Sequence, residues 1–184
     1  MEHSSKEIIV DKKRMIISRT DLKGTIEYAN KDFIDISGYM LDELIDKPHK
    51  IVRHPDMPGA IFKLMWRRIQ LSQDIFAIVK NRAKNGNYYW VTTKFDVRKN
   101  PLDNRVSGYI AYRQGADKKL VTAITPLYDE LLAIEKTSGI DASEKYLIGF
   151  LESQNKTYDT YIEDLVGKGG LFKSFFSKMA SAFK

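Results

Sequence analysis

Arginine, histidine, aspartate, asparagine and tryptophan gather around short turns in two stretches, Ile51-Val-Arg-His-Pro-Asp-Met-Pro-Gly-Ala60 and Val79-Lys-Asn-Arg-Ala-Lys-Asn-Gly-Asn-Tyr-Tyr-Trp-Val91. On a solvated helix face such residues would recur every three or four positions, and the prolines and glycines here break that repeat. The combination suits a cofactor pocket with a charged rim. Trp66, Phe33 and Tyr39 can build a flat apolar slot, Asn30 and Asn81 can meet polar edges without carrying charge into a buried site, and Arg53 and His54 can face an anion such as phosphate. Each has a plainer reading beside this one. Asn30 precedes a helix it would cap, Asp56 among prolines can satisfy loop amides, and Trp66 adjoins a helical apolar stripe. His49 and His54 can be structural, or can ligate haem iron.

The elements that must position these groups can be read from hydrophobic spacing. Arg14 to Thr20 alternates as a strand, the turn Asp21-Leu-Lys-Gly24 follows, and Thr25 to Ala29 supplies the returning strand. Phe33, Ile34 and Ser37 have helical spacing, Gly38 closes that helix, and a second short helix is expected at Leu41 to Ile45. Pro48, Pro55 and Pro58 forbid a long helix around Arg53 and His54. Ile61, Leu64, Met65 and Ile69 predict a helix over Gly59 to Leu71, with Trp66 beside the stripe. Strands follow at Ile75 to Arg82, Tyr88 to Val97 and Arg105 to Gln114, joined by Lys84-Asn-Gly-Asn87 and by Lys99 to Asn104. Two strands, several short helices and three strands give an α+β domain, a five-stranded antiparallel sheet with helices on one face.

After Gly115 the pattern is helical. Thr125-Pro126 reads as a helix start, Ser138-Gly139 as its end, and Asp141 to Val166 as one further helix. Gly167-Lys-Gly-Gly170 is a break, and Leu171 to Lys184 places Phe172, Phe175, Phe176, Met179 and Phe183 on one helical face with lysines and serines opposite. The reading divides the chain into an extension at 1–12, a sensor-like domain at 13–116, a helical region at 117–166 and an amphipathic terminal piece at 167–184.

Composition narrows the function. The 184 residues are 43% hydrophobic and 29% charged, ordinary for a globular protein, and no apolar run has the length of a membrane span. The polar N-terminus carries no secretory pattern, so a cytoplasmic location is expected. With no cysteine there is no thiol redox chemistry, and any redox response must come from a bound group. The net charge of +6 is spread along the chain, which argues against nucleic acid as a partner. No G-x-S-x-G, P-loop, H-E-x-x-H or Rossmann glycine pattern is present, so no enzymatic activity is expected.

In their order, Tyr28-Ala-Asn30, the Arg53-His-Pro-Asp56 run, Val79-Lys-Asn-Arg82 and Gly108-Tyr-Ile-Ala-Tyr-Arg113 resemble the PAS sensor domain of bacterial aerotaxis receptors, over roughly residues 13 to 135. The resemblance implies a PAS fold holding flavin adenine dinucleotide (FAD), and transfers flavin-binding or pocket roles to Asn30, Arg53, His54, Asp56, Trp66 and Asn81. Relatives of this kind carry Gly-x-x-Trp-x-Gly ahead of the Val-Lys-Asn-Arg strand where this chain has Ser72-Gln-Asp-Ile-Phe-Ala77. Phe76 is placed at the Trp position, keeping the aromatic face without the indole donor.

The resemblance further implies a redox- or oxygen-responsive sensor of the soluble, split kind, acting on a separate membrane-bound chemotaxis transducer in aerotaxis or energy taxis. Alternatives are a haem-binding or ligand-free PAS interaction module, or a basic peripheral membrane adaptor working through residues 171–184 at the inner face of the cytoplasmic membrane. Homodimerisation through the sheet or the helices is a further expectation.

Overall fold

A computed structural model describes residues 5–166 apart from residue 74; the amphipathic piece expected at 171–184 lies outside the described residues. Strands β1 (Ile16–Thr20) and β2 (Ile26–Ala29) form the opening hairpin. Helices α1 (Lys31–Ser37), α2 (Leu41–Leu44) and α3 (Gly59–Gln70) follow, with a single 3-10 turn at His49–Val52 between the last two. Strands β3 (Phe76–Arg82), β4 (Tyr88–Lys99) and β5 (Val106–Gly115) complete one antiparallel sheet in the order β2-β1-β5-β4-β3. Helices α4 (Lys118–Ser138), α5 (Ile140–Ser153) and α6 (Tyr158–Val166) close the described chain. The expected α+β architecture is present.

Local chemistry explains the boundaries. Asn30 caps α1, its Oδ1 accepting from Phe33 N at 3.0 Å. Gly38 ends that helix at φ 70°, a left-handed conformation with no Cβ to clash. Side chains alternate across the sheet, so Val79, Asn81, Thr93, Phe95, Tyr109, Ala111 and Arg113 share one face with Ser18 and Thr20 of β1. The opposite face receives α4, where Trp90 stacks on Tyr128 at 6.4 Å.

Two expectations about the C-terminal helices fail. Helix α4 begins at Lys118, not at Thr125, because Asp117 caps it by accepting from Lys119 N at 2.9 Å. Pro126 sits inside the helix, and just before it Thr125 Oγ1 donates to Val121 O at 2.7 Å, a side-chain bond of the kind that accompanies helix bends. The single helix expected over Asp141 to Val166 is two, broken at Asn155, whose φ of 53° is left-handed. Thr157 then caps α6 through its hydroxyl, which accepts from Thr160 N.

The edge strand β3 is covered along its length. Arg53 pairs with Asn81 as an isolated antiparallel bridge, Tyr128 Oη donates to Ile78 O at 2.7 Å, and Phe76 N donates to Asp159 Oδ1 at 3.2 Å. These contacts occupy backbone groups that an open edge would offer to another chain.

Candidate functional site

Between α3 and the sheet lies a cavity of about 350 Å³. Its walls are Met65, Trp66 and Ile69 from α3 and Val79, Phe95, Tyr109 and Ala111 from the sheet. Trp66 meets Tyr109 edge-on at 5.7 Å and seats against Gly24, where a Cβ would come within 2.9 Å of the indole. The β1–β2 turn thus fixes the indole, and Gly24, at φ 85°, is required both by the turn and by this approach.

Polar groups gather on the sheet wall: Ser18, Asn81, Thr93 and Arg113, joined by His49 from the 3-10 turn. Arg113 is 4% exposed; its guanidinium donates to Ser18 Oγ at 2.9 Å and lies 2.9 Å from His49 Nε2. Among the described residues it has no carboxylate partner. Burial pulls its pKa down to about 10, which still leaves it charged at neutral pH. Burial first, and then the Arg113 charge, hold His49 down to about 3, so this imidazole is neutral and its Nε2 accepts from the guanidinium. Thr93 is 1% exposed and its Oγ1 has no hydrogen-bond partner among the described residues, an unsatisfied hydroxyl on the cavity wall. Lys23, Lys50, Lys63 and Arg53 add positive charge to the lining.

Of the residues singled out from sequence, the structure brings Arg53, Trp66 and Asn81 onto the cavity. Phe33 stands one layer behind, fully buried and stacked on His49 at 5.6 Å. Asn30 does not line the cavity: besides capping α1 it accepts from Ile17 N at 2.9 Å and donates to Met15 O at 2.7 Å, which locks helix to sheet. His54 and Asp56 lie elsewhere because the chain is extended at Arg53, so successive side chains diverge. His54 packs edge-on against Tyr88 at 5.7 Å and its Nδ1 accepts from Asp56 N, while Asp56 reaches Lys80 at 3.0 Å. Phe76 has the wrong parity on β3 and faces away from Val79 and Asn81. Laid over Ser72 to Ala77, the six-residue pattern in fact puts its Trp at Ile75, which is 1% exposed. Sequence reasoning missed Arg113, Ser18 and Thr93 as cavity groups and raised His49 only as a structural histidine or haem ligand; an arginine in step with Tyr109 and Ala111 was the available signal for one of them.

The cavity fits a flavin. Its volume is at the low end of the roughly 300–1,000 Å³ typical of small-molecule pockets, enough for a ring system with a tail leaving past the cations. A flat apolar slot with an unsatisfied hydroxyl and a buried cation that has no carboxylate partner among the described residues offers what the faces and carbonyl edge of an isoalloxazine require. Haem fits less well. The cavity's one histidine among the described residues has its Nε2 engaged by Ser18 and Arg113 at 3.0 and 2.9 Å. No cluster of three metal-ligating side chains occurs among the described residues, and no described helix is long and apolar enough to cross a membrane.

Residues 26–113 match the family described as the PAS fold. The aerotaxis receptor of Escherichia coli K12 is 42% identical over 122 residues, 64% of this chain and 23% of the receptor. A nitrogen fixation regulatory protein of Klebsiella pneumoniae is 26% identical over 106 residues, 58% of this chain and 21% of that protein. The chain therefore spans about a fifth of the length of these relatives. Among solved structures, the light state of the blue-light photoreceptor Aureochrome1 LOV domain has a TM-score of 0.54 at 15% identity, covering 62% of this chain and 90% of that one. A light-oxygen-voltage domain studied with a flavin analogue has a TM-score of 0.53 at 16% identity, covering 63% and 86%. At such identities the likeness is one of fold.

Proposed function

Taking as premise that this chain carries a PAS-fold sensor domain related to that of the aerotaxis receptor, we propose that it is a flavin-binding redox sensor, with FAD as the ligand. The observation that carries this reading is the cavity itself: an apolar slot closed by Trp66 whose sheet wall holds, among the described residues, a buried Arg113 with no carboxylate partner and an unsatisfied Thr93 hydroxyl. Met65, Trp66, Ile69, Val79 and Ala111 would hold the ring faces. Asn81, Thr93 and Arg113 would meet the polar edge, and Lys23, Lys50, Lys63 and Arg53 the phosphates. When bound, the flavin supplies reversible electron uptake. The protein's own part is to exclude water and set the balance of charge. Arg113 favours whichever form of the occupant carries more negative charge, and its attachment to Ser18 of β1 and to His49 puts a change in that balance onto two separate elements.

The reading extends to signalling. We place the protein in the cytoplasm, without enzymatic activity of its own, acting in aerotaxis or energy taxis on a separate membrane-bound chemotaxis transducer. Self-association and peripheral membrane contact through 171–184 are compatible additions. Support comes from the sequence identity to the aerotaxis receptor within the PAS domain and from the absence of the common catalytic motifs in the sequence. The test is to reconstitute wild type, Trp66→Ala and Asn81→Ala with FAD and measure what survives desalting. Retention by wild type and loss of at least tenfold in both variants is expected. Equal retention by all three overturns the assignment of this cavity.

A further inference from the structure

Helix α3 has two faces at work. One lines the cavity with Phe62, Lys63, Met65, Trp66 and Ile69. The other carries the C-terminal helices. Glu135 of α4 accepts from the backbone N–H groups of Gly59 and Ala60 at 2.9 Å each, satisfying donors that a helix N-terminus leaves open. Asp141 and Glu144 of α5 each reach Lys63 Nζ at 2.6 Å; Glu144 also pairs with Arg67, and Asp159 of α6 with Arg68. At the head of this seam the chains touch closely, since a Cβ on Gly59 would lie 2.7 Å from Ile140 Cδ1.

The carboxylates of this seam sit on α4, α5 and α6, and its side-chain cations sit on α3. Only Lys63 among those three cations also lines the cavity. Its bonds to Asp141, then to Glu144, raise its pKa, so it is held as an ammonium. One charge is therefore within reach of two claimants: the α5 carboxylates, and any anionic group arriving beside Lys23, Lys50 and Arg53. Side-chain exposure of 41% for Lys63 and 85% for Asp141 makes that pairing an open, water-exchanged one, while Glu144, 10% exposed, keeps Arg67 as a partner if the Lys63 ammonium moves away.

We propose that Lys63 is a switch between the cavity and the C-terminal helices: a phosphate-bearing ligand draws its ammonium from Asp141 and Glu144 and loosens α5 from α3. This rests on the reading that the occupant carries phosphates. Linkage requires the reverse as well, so weakening the α5 claim must tighten the ligand.

Hydrogen exchange of the α5 peptide in the full chain tests this, with FAD, riboflavin and inorganic pyrophosphate as probes at constant ionic strength. FAD and pyrophosphate are each expected to speed α5 exchange about two- to fivefold, the range open to an exposed ion pair. Riboflavin, which has no phosphate, leaves it unchanged. Lys63→Met is expected to exchange at the faster rate without any probe and to respond to none. Asp141→Asn is expected to bind FAD about two- to fivefold more tightly. Unchanged α5 exchange with both FAD and pyrophosphate overturns the switch, as does a response that persists in Lys63→Met. A pyrophosphate response lost in Lys63→Met, in a protein that takes up no flavin, upholds the switch and overturns the flavin reading instead.

Discussion

Acidification from about pH 7 to about pH 4.5 should remove roughly 3 kcal/mol of folding stability through the His49 imidazole alone. In the unfolded chain this group titrates near 6.5; in the folded protein burial, then Arg113, hold it down to about 3. Between those values the unfolded state binds a proton that the native state refuses. The stabilisation is therefore complete above 6.5 and is lost progressively as the pH falls toward 3. Two pH units at about 1.4 kcal/mol each give the figure stated. The assay is urea unfolding across this range for wild type and His49→Gln, whose amide oxygen can still accept from Ser18 and Arg113 without titrating. His54 is held below its usual value by burial and by Lys80, and contributes with the same sign; His54→Gln serves as the comparison that separates the two. Asp21, Asp35, Glu43, Asp117 and Asp141, all held low by hydrogen bonds, lose their contributions at more acidic pH, within and below the ordinary carboxylate range. Wild type should lose about 3 kcal/mol more stability than His49→Gln between about pH 6.5 and 4.5, the variant keeping only the His54 decline. Parallel decline of both proteins would refute the buried, neutral assignment of His49.

Other substitutions separate the cavity from its supports. Asn30→Ala removes a helix cap and two bonds to β1 and its approach, and should cost about 2–3 kcal/mol in urea unfolding while leaving cavity residues in place. Phe76→Leu should cost about 1 kcal/mol and leave FAD retention unchanged, since that side chain faces away from the cavity; a changed flavin spectrum would contradict this. Tyr128→Phe forfeits the hydroxyl bonds to Ile78 O and Tyr158, both 2.7 Å, and should lower stability by about 1–2 kcal/mol, with faster exchange at β3.

The sheet and its helices were legible because their signals are local. Alternation marks β1, turn residues bound β3, β4 and β5, and Gly38 and Gly139 stand where positive φ is needed. The C-terminal helices were harder to read for reasons equally local. Pro126 imitates a helix start, whereas Asp117 supplies the real cap, and Asn155 breaks a helix without any glycine or proline to announce it. In the cavity, Trp66, Asn81 and Arg53 could be named from residue type and order. Arg113 could not, and His49 could be named only as a structural histidine or haem ligand, because the part they play comes from a pairing across 64 residues that only the fold creates. Asn30, His54 and Asp56 show the converse: residues of the right chemistry whose side chains the backbone directs to capping and loop contacts.

Whether this PAS cavity holds a redox-active flavin is read from the absorption spectrum of the protein purified or reconstituted with FAD, before and after dithionite. A flavin in the cavity gives a protein-bound band near ~450 nm that bleaches on reduction and returns in air. A protein that takes up no FAD, or one that instead carries a strong band near ~400 nm, would contradict it.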